Sequence, residues 1–218
     1  MLTDPQSLVS IDEMPLGRSL PPPLALPDVR QPSIFSDEKL VEVVELQVLD
    51  AYELLGILPS RSIRMRSSLL DRLIDADHQL PEPLRLCVLD AFRTDAEQQL
   101  LIEYYSAKGP TEGFVASLEE GTFRPPHTTG GAVDLTLAYH GAPLALGTDF
   151  DAFSPLAALH AFEPSDSLTR RLRRVLSESL VQVGLVPYEL EWWHWSFGDD
   201  VWAFAKGRPA IYGVVGER

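Results

Sequence analysis

Two segments of this sequence carry residue types that could do chemistry together. One is Glu191-Trp192-Trp193-His194, and upstream of it lies His127-Thr128-Thr129-Gly130-Gly131-Ala132-Val133-Asp134. Together they offer two imidazoles and one carboxylate, and they leave Glu191 over as a second carboxylate. A catalytic zinc site takes three protein ligands, keeps one position open for water and needs a base nearby. His127, Asp134 and His194 are the candidate ligands, and Glu191 is the candidate base.

Each half has an ordinary reading when taken alone. His127 could be an exposed loop histidine after Pro125-Pro126, and Glu191 could sit on the wet side of an apolar strand. In a regular strand Glu191 and His194 face opposite sides, so both reach one site only if the strand ends or bulges between them. Burying an unpaired carboxylate and imidazole among Trp192, Trp193 and Trp195 would be costly, and a metal or a substrate amide removes that cost. The indoles are expected to wall the cleft. Gly130-Gly131 lets the backbone turn closely, so that His127 and Asp134 can meet at one ion.

These residues need elements to hold them. Ser67 or Ser68 caps a helix with Leu69, Leu70, Leu73 and Ile74 on one face, ending before Pro81. The apolar run from Leu84 to Phe92 reads as a buried strand. Thr94-Asp95-Ala96-Glu97 is a capping box that opens a helix to about Ser106, which puts Arg93 at a strand-to-helix junction, a place where a side chain can point into a cleft. Val133–Ala138 reads as a strand with Asp134 near its start. From Gly141 to Pro164 there are turn residues and no helical period. A helix starting at Asp166 or Ser167 stops at Gly184, and its Arg170-Arg171 and Arg173-Arg174 read as a solvated face. Tyr188 to Phe197 is strand-like. Leu40–Leu55 fits period 2 and period 3.6 equally, with a lean to strand at Leu40–Val44. Strands and helices in this irregular order predict an α+β domain, a small antiparallel sheet carrying the site with helices packed on one side.

Composition narrows the partners. The 218 residues carry a formal charge of −14, which argues against nucleic acid and anionic membrane as partners. Cys87 is the single cysteine, so neither an intrachain disulfide nor a cysteine-based zinc site is available. It lies in the run Leu86-Cys87-Val88-Leu89 and reads as a core thiol. The start of the chain lacks the pattern of a secretory signal and no stretch has the length of a membrane span, so a cytoplasmic location is expected. Residues 1–35, with Pro21-Pro22-Pro23, Pro27 and Pro32, read as a disordered leader or an arm laid over the domain formed by residues 36–218. His78, His140 and His160 read as ordinary surface or packing residues.

The combined pattern His-x-x-Gly-x-Ala-x-Asp followed by Glu-Trp-Trp-His resembles the zinc D-alanyl-D-alanine dipeptidases of the vancomycin-resistance type. These sit within a wider group of zinc D-Ala-D-Ala carboxypeptidases and phage endolysins. Asp90-Ala91-Phe92-Arg93, Gly113-Phe114-Val115-Ala116-Ser117 and Gly147-Thr148-Asp149-Phe150-Asp151 are similar to further blocks of that family, and the likeness runs from about Arg66 to Phe197. It implies one Zn2+ per chain on His127, Asp134 and His194, with Glu191 as general base and Arg93 as the oxyanion stabiliser. It also implies that Asp151 holds the substrate's free ammonium, with Asp149 as the nearby competitor for that role. The implied substrate is a small dipeptide, D-Ala-D-Ala first. This chain has Pro125 where the family commonly carries a serine that helps hold the dipeptide. One substrate hydrogen bond is therefore lost or replaced, with Thr128 or Thr129 as the candidates. Two rival readings remain at this point. One is a carboxypeptidase or endopeptidase acting on peptidoglycan stems, and the other is a zinc-containing module that binds without hydrolysis.

Overall fold

The structure, a computed structural model, describes residues 1–24, 34, 36–109, 115–118 and 124–216. Gly113 and Phe114, Pro27 and Pro32 lie outside the described residues. The elements run β1 Leu40–Glu42, β2 Gln47–Val48, α1 Ala51–Leu54, β3 Arg64–Arg66, α2 Ser67–His78, β4 Leu84–Asp90 and α3 Asp95–Ser106. They continue with β5 Ala132–Tyr139, β6 Ala142–Pro143, α4 Leu168–Gln182, β7 Val186–Tyr188, β8 Glu191–Ser196 and α5 Asp200–Lys206. The main sheet has the order β2-β4-β5-β8-β7, with β6 paired to β5, and β1 and β3 form a separate two-stranded ribbon. Every pair is antiparallel except β2 beside β4. This is the α+β architecture expected from the order of the elements.

The core follows from the apolar periods. Leu69, Leu70 and Leu73 of α2 and Leu172, Leu176 and Leu180 of α4 are buried, and the two helices pack on each other and against β4 and β5. Strand β5 is buried on both faces along almost its whole length. Such a strand has no alternation of polar and apolar residues to show. Cys87 is fully buried in β4, where burial pushes its thiol up to about 12.

Several local signals act as expected. Thr94 accepts from the Glu97 N–H at 3.2 Å while the Glu97 carboxylate accepts from the Thr94 N–H at 2.7 Å, which closes the capping box of α3. Ser167 caps α4 by accepting from Arg170 N–H at 3.2 Å. The start of α2 differs: Ser67 and Ser68 lie inside the helix, and the cap comes from Glu38, whose carboxylate accepts from the Ser68 N–H at 2.7 Å. A carboxylate at a helix N-terminus satisfies the free N–H groups and meets the positive end of the helix dipole. The ambiguous stretch after Leu40 divides into β1, β2 and the one-turn helix α1, which explains why neither period dominates it.

Two expectations are corrected. The arginines of α4 are not a uniformly solvated face. Arg170 and Arg174 do pair with Asp166 and Glu163, but Arg173 is only 1 % exposed and points into the protein. The three indoles of β8 are fully buried in the core and none lines the cleft described below. Of the first 35 residues, several of those described contact later parts of the chain. Thr3 bridges to Leu144, Val9 and Met14 are buried, and Arg171 donates to the carbonyls of Ile11 and Met14. No helix among the described residues is long and apolar enough to cross a membrane.

Candidate active site

The sheet register sets the site. Asp134 on β5 lies opposite His194 on β8 and, across its other edge, opposite Asp90 on β4. Three strands thus bring three polar side chains into one row. His127 comes from the short 3-10 turn Pro126–Thr129, which ends at Gly130 with φ of 73° before β5 begins. A Cβ at Gly130 would lie 2.5 Å from the Leu40 side chain, so both the left-handed turn and the close approach require glycine there.

Strand β8 carries the bulge that Glu191 and His194 need. Pro187 pairs with Trp195, but the next residue of β7, Tyr188, pairs with Glu191, so Trp192, Trp193 and His194 are extra length on one strand. The excess lets Glu191 and His194 approach from the same side, with Glu191 Oε2 4.0 Å from His194 Nδ1. The indoles fix this bend. Trp192 Nε1 donates to Thr148 Oγ1 at 2.9 Å, and Trp195 Nε1 donates to the Trp192 carbonyl at 3.2 Å.

His127, Asp134 and His194 are all buried and aim one ligand atom each at a common point. The three atoms form a triangle. His194 Nδ1 is 3.0 Å from Asp134 Oδ1 and 3.1 Å from His127 Nε2, and His127 Nε2 is 3.3 Å from Asp134 Oδ1. Ligands held at about 2.0–2.1 Å by a tetrahedral zinc stand roughly 3.3 Å apart, so the triangle has the size of three corners of such a site. The tautomer also suits a metal. His127 Nδ1 faces the Ala91 carbonyl at 2.6 Å, and a carbonyl only accepts, so Nδ1 carries the proton and Nε2 turns a lone pair inward. On His194 it is Nδ1 that faces inward, while Nε2 lies 3.5 Å from Ser196 Oγ. Two imidazole lone pairs and a carboxylate at this spacing repel one another unless a cation or a proton lies between them. Burial lowers the pKa of His194, which favours the neutral imidazole that ligation requires. Burial works against the Asp134 carboxylate, yet His127 and His194 beside it hold it well below the usual range.

Beside the triangle lies a narrow cleft, lined on its polar side by Tyr52, Arg93, Tyr105, Asp134, Asp151 and Glu191. Leu101, Val115 and Phe153 form its apolar wall. Burial, with Asp134 and Asp151 adding to it, pushes the Glu191 carboxyl well above its ordinary range, and Arg93 pulls the other way. Arg93 is held on several sides: Nε donates to Asp90 Oδ2 at 2.6 Å, one terminal nitrogen to Gln98 Oε1 at 2.8 Å and the other to Asp134 Oδ2 at 3.4 Å.

Asp151 lies in the cleft and Asp149 does not. Asp149 accepts from the backbone N–H groups of Leu2 and Phe150 outside it. Asp151 takes a left-handed backbone, φ 52°, uncommon for a residue with a side chain. Its carboxylate accepts from Tyr105 Oη at 2.6 Å and also from the Tyr52 hydroxyl. Burial pushes Asp151 up to about 7, the two phenols and Arg93 opposing and Asp134 adding to the rise.

The structure therefore brings all six residues singled out from the sequence, His127, Asp134, His194, Glu191, Arg93 and Asp151, into one place. Tyr52 and Tyr105 were not singled out. They arrive from α1 and α3, and no spacing ties them to Asp151. Thr128 and Thr129 do not stand in for the serine replaced by Pro125. Thr128 Oγ1 donates to the Pro125 carbonyl at 2.8 Å and Thr129 Oγ1 to the Pro126 carbonyl at 2.6 Å, so both hydroxyls serve the turn.

A family model described as D-ala-D-ala dipeptidase, peptidase family M15, matches residues 77–208, more than half of the chain and the stretch that contains all six site residues. The chain belongs to the D-Ala-D-Ala dipeptidase family. Family M15 is a family of zinc peptidases, and the enzyme is accordingly a metallopeptidase. A D-alanyl-D-alanine dipeptidase of Synechocystis is 28% identical, with 64% of this chain and 71% of the relative covered. One of Enterococcus faecalis is 31% identical over 41% of this chain and 42% of the relative. A solved structure of the LD-carboxypeptidase LdcB superposes with a TM-score of 0.47 at 16% identity, covering 84% of this chain and 81% of that one. Tyr52 and Arg61 lie before the part matched by the dipeptidase family model. The Arg61 guanidinium bonds Asp90, which in turn holds Arg93.

Proposed function

We propose that this dipeptidase-family enzyme hydrolyses a small free dipeptide, D-alanyl-D-alanine, using one zinc ion per chain held by His127, Asp134 and His194. The observation that carries the reading is the ligand triangle with Glu191 Oε2 4.0 Å from its His194 corner and Asp151 in the same small cleft. A bound zinc supplies Lewis acidity and lowers the pKa of a coordinated water to about 7.

The chain's own residues do the rest. Glu191 takes the proton of the attacking water and hands it to the leaving amine, and the environment that raises its proton affinity suits a group that must hold a proton between two steps. Arg93 answers the negative charge that grows on the scissile carbonyl oxygen. Asp90, Gln98 and Asp134 fix its guanidinium beforehand, so little reorganisation is needed as the charge develops. Asp151 accepts the substrate ammonium, and its two phenol partners keep the carboxylate in one orientation. A peptide extended at its amino end would have to displace Asp151, which favours a free dipeptide over a peptidoglycan stem.

The test offers zinc-loaded protein D-Ala-D-Ala, N-acetyl-D-Ala-D-Ala and a panel of free dipeptides. Cleavage confined to free dipeptides supports the proposal. Turnover of the acetylated substrate at a comparable rate would replace it with a carboxypeptidase. Zinc binding with no cleavage of any of them would leave a binding module.

A further inference from the structure

Arg173 is the most deeply buried cation of α4, at 1 % exposed, and among the described residues no carboxylate pairs with it. Its guanidinium is satisfied by backbone carbonyls. Nε donates to Leu146 at 2.8 Å, one terminal nitrogen to Leu159 at 3.2 Å and to Ala158, and the other to Leu156 at 2.7 Å. The group also lies over the Phe162 ring at 4.8 Å and near the Trp192 ring at 5.9 Å. Burial with no acid beside it pulls its pKa down. A buried charge with no counter-charge is expensive to keep, so a requirement for it should be visible in what it holds.

What it holds is the base of one loop. Leu146 lies at the start of the segment 146–159, and Leu156, Ala158 and Leu159 lie at its end. Between them come Thr148, which meets Trp192, Phe150, which packs edge-on against Tyr52 and Trp193, and Asp151 with its left-handed backbone. The only regular structure there is the 3-10 turn Pro155–Ala157. Such a loop would not by itself hold a strained residue in one conformation.

We infer that Arg173 is a positioning residue: by closing both ends of the segment 146–159 on one guanidinium, it fixes the Asp151 carboxylate in the cleft and so sets the enzyme's selectivity for a substrate with a free ammonium. The inference rests on the reading of Asp151 as the ammonium acceptor. Lysine cannot replace the arginine, because several carbonyls in different directions need the planar fork of donors and an ammonium is a point charge.

The test compares Arg173→Lys, Arg173→Met and Asp151→Asn with the wild type, all zinc-loaded and full length. Arg173→Met removes the buried charge and so keeps the comparison available if the lysine variant folds poorly. Backbone amide exchange across 147–153 should speed up by about tenfold in the Arg173 variants, with β5 and the zinc content unchanged. KM for D-Ala-D-Ala should rise about tenfold with kcat within about threefold, the signature of a lost binding contact, and the preference for free over N-acetylated dipeptide should fall in step. Unchanged loop exchange together with unchanged KM in the Arg173 variants overturns the inference, and so does exchange that rises across the whole sheet with kcat and KM deteriorating together. A normal preference in Asp151→Asn refutes the reading beneath it. A lost preference in Asp151→Asn beside a normal one in Arg173→Lys refutes the role of Arg173 alone.

Discussion

Asp151→Asn should make the protein more stable and a worse enzyme, and the two effects have one cause. Burial raises the carboxyl from 3.8 to about 7, so the folded state prefers the protonated acid and the unfolded state the ionised one. Stability from this group is therefore fully present below about 3.8 and is lost as pH rises to about 7. The full shift corresponds to roughly 4 kcal/mol, and solvent at the cleft mouth cuts this to roughly 2 kcal/mol. Asparagine keeps an acceptor for a phenol and carries no charge to desolvate. In metal-free protein at pH 8 the variant should melt about 4–8 °C above the wild type, and the gap should shrink at pH 5. The same substitution removes the counter-charge of the substrate ammonium, a contact worth about 2–4 kcal/mol when sheltered from water, so KM should rise roughly 30- to 1,000-fold. Thermal melts at the two pH values and steady-state kinetics on zinc-loaded enzyme measure both. A variant that is less stable at pH 8, or whose KM equals that of the wild type, would refute the assignment of Asp151 as a costly carboxylate kept for binding.

Other consequences follow from the same geometry. Arg93→Lys should lower kcat by about 10²–10³-fold, the usual cost of losing an oxyanion donor, while zinc content stays at the wild-type level; an unchanged kcat would remove Arg93 from the chemistry. Pro125→Ser restores the hydroxyl that the family commonly carries at this position and should lower KM for D-Ala-D-Ala by about two- to tenfold, since Thr128 and Thr129 use theirs in the turn. An unaltered KM would mean that the position has no contact with substrate. Cys87 should resist thiol reagents in the native protein and react only on unfolding, because burial pushes it up to about 12; rapid labelling of native protein would contradict its place in β4.

Much of the site is legible in the sequence because its chemistry is local. His127 and Asp134 flank one glycine-rich turn, and Glu191 and His194 flank one bulge, so residue type and spacing carry the ligand set. The requirement for a bulge can be stated from strand geometry alone, and the mispaired β7–β8 register supplies it. What escapes the sequence is whatever depends on distant segments meeting. The choice between Asp151 and Asp149 turns on one left-handed residue and two phenols from α1 and α3. The cap of α2 comes from Glu38, in the segment before β1. Arg173 sits among four arginines on one helix, where a pattern of charges suggests solvent, and only the packing of the 146–159 loop over that face separates it from its neighbours. The indoles of β8 suggest a cleft wall by their company with Glu191 and His194, whereas the sheet turns them into the core that holds the bulge in shape.

The central claim is a division of labour within one short segment, His194 on the metal and Glu191 on the proton. It is tested most directly by measuring bound zinc and D-Ala-D-Ala turnover together in Glu191→Ala. The account predicts one zinc per chain, as in the wild type, with turnover abolished. Loss of stoichiometric zinc in that variant, or turnover that persists with the zinc in place, would contradict it.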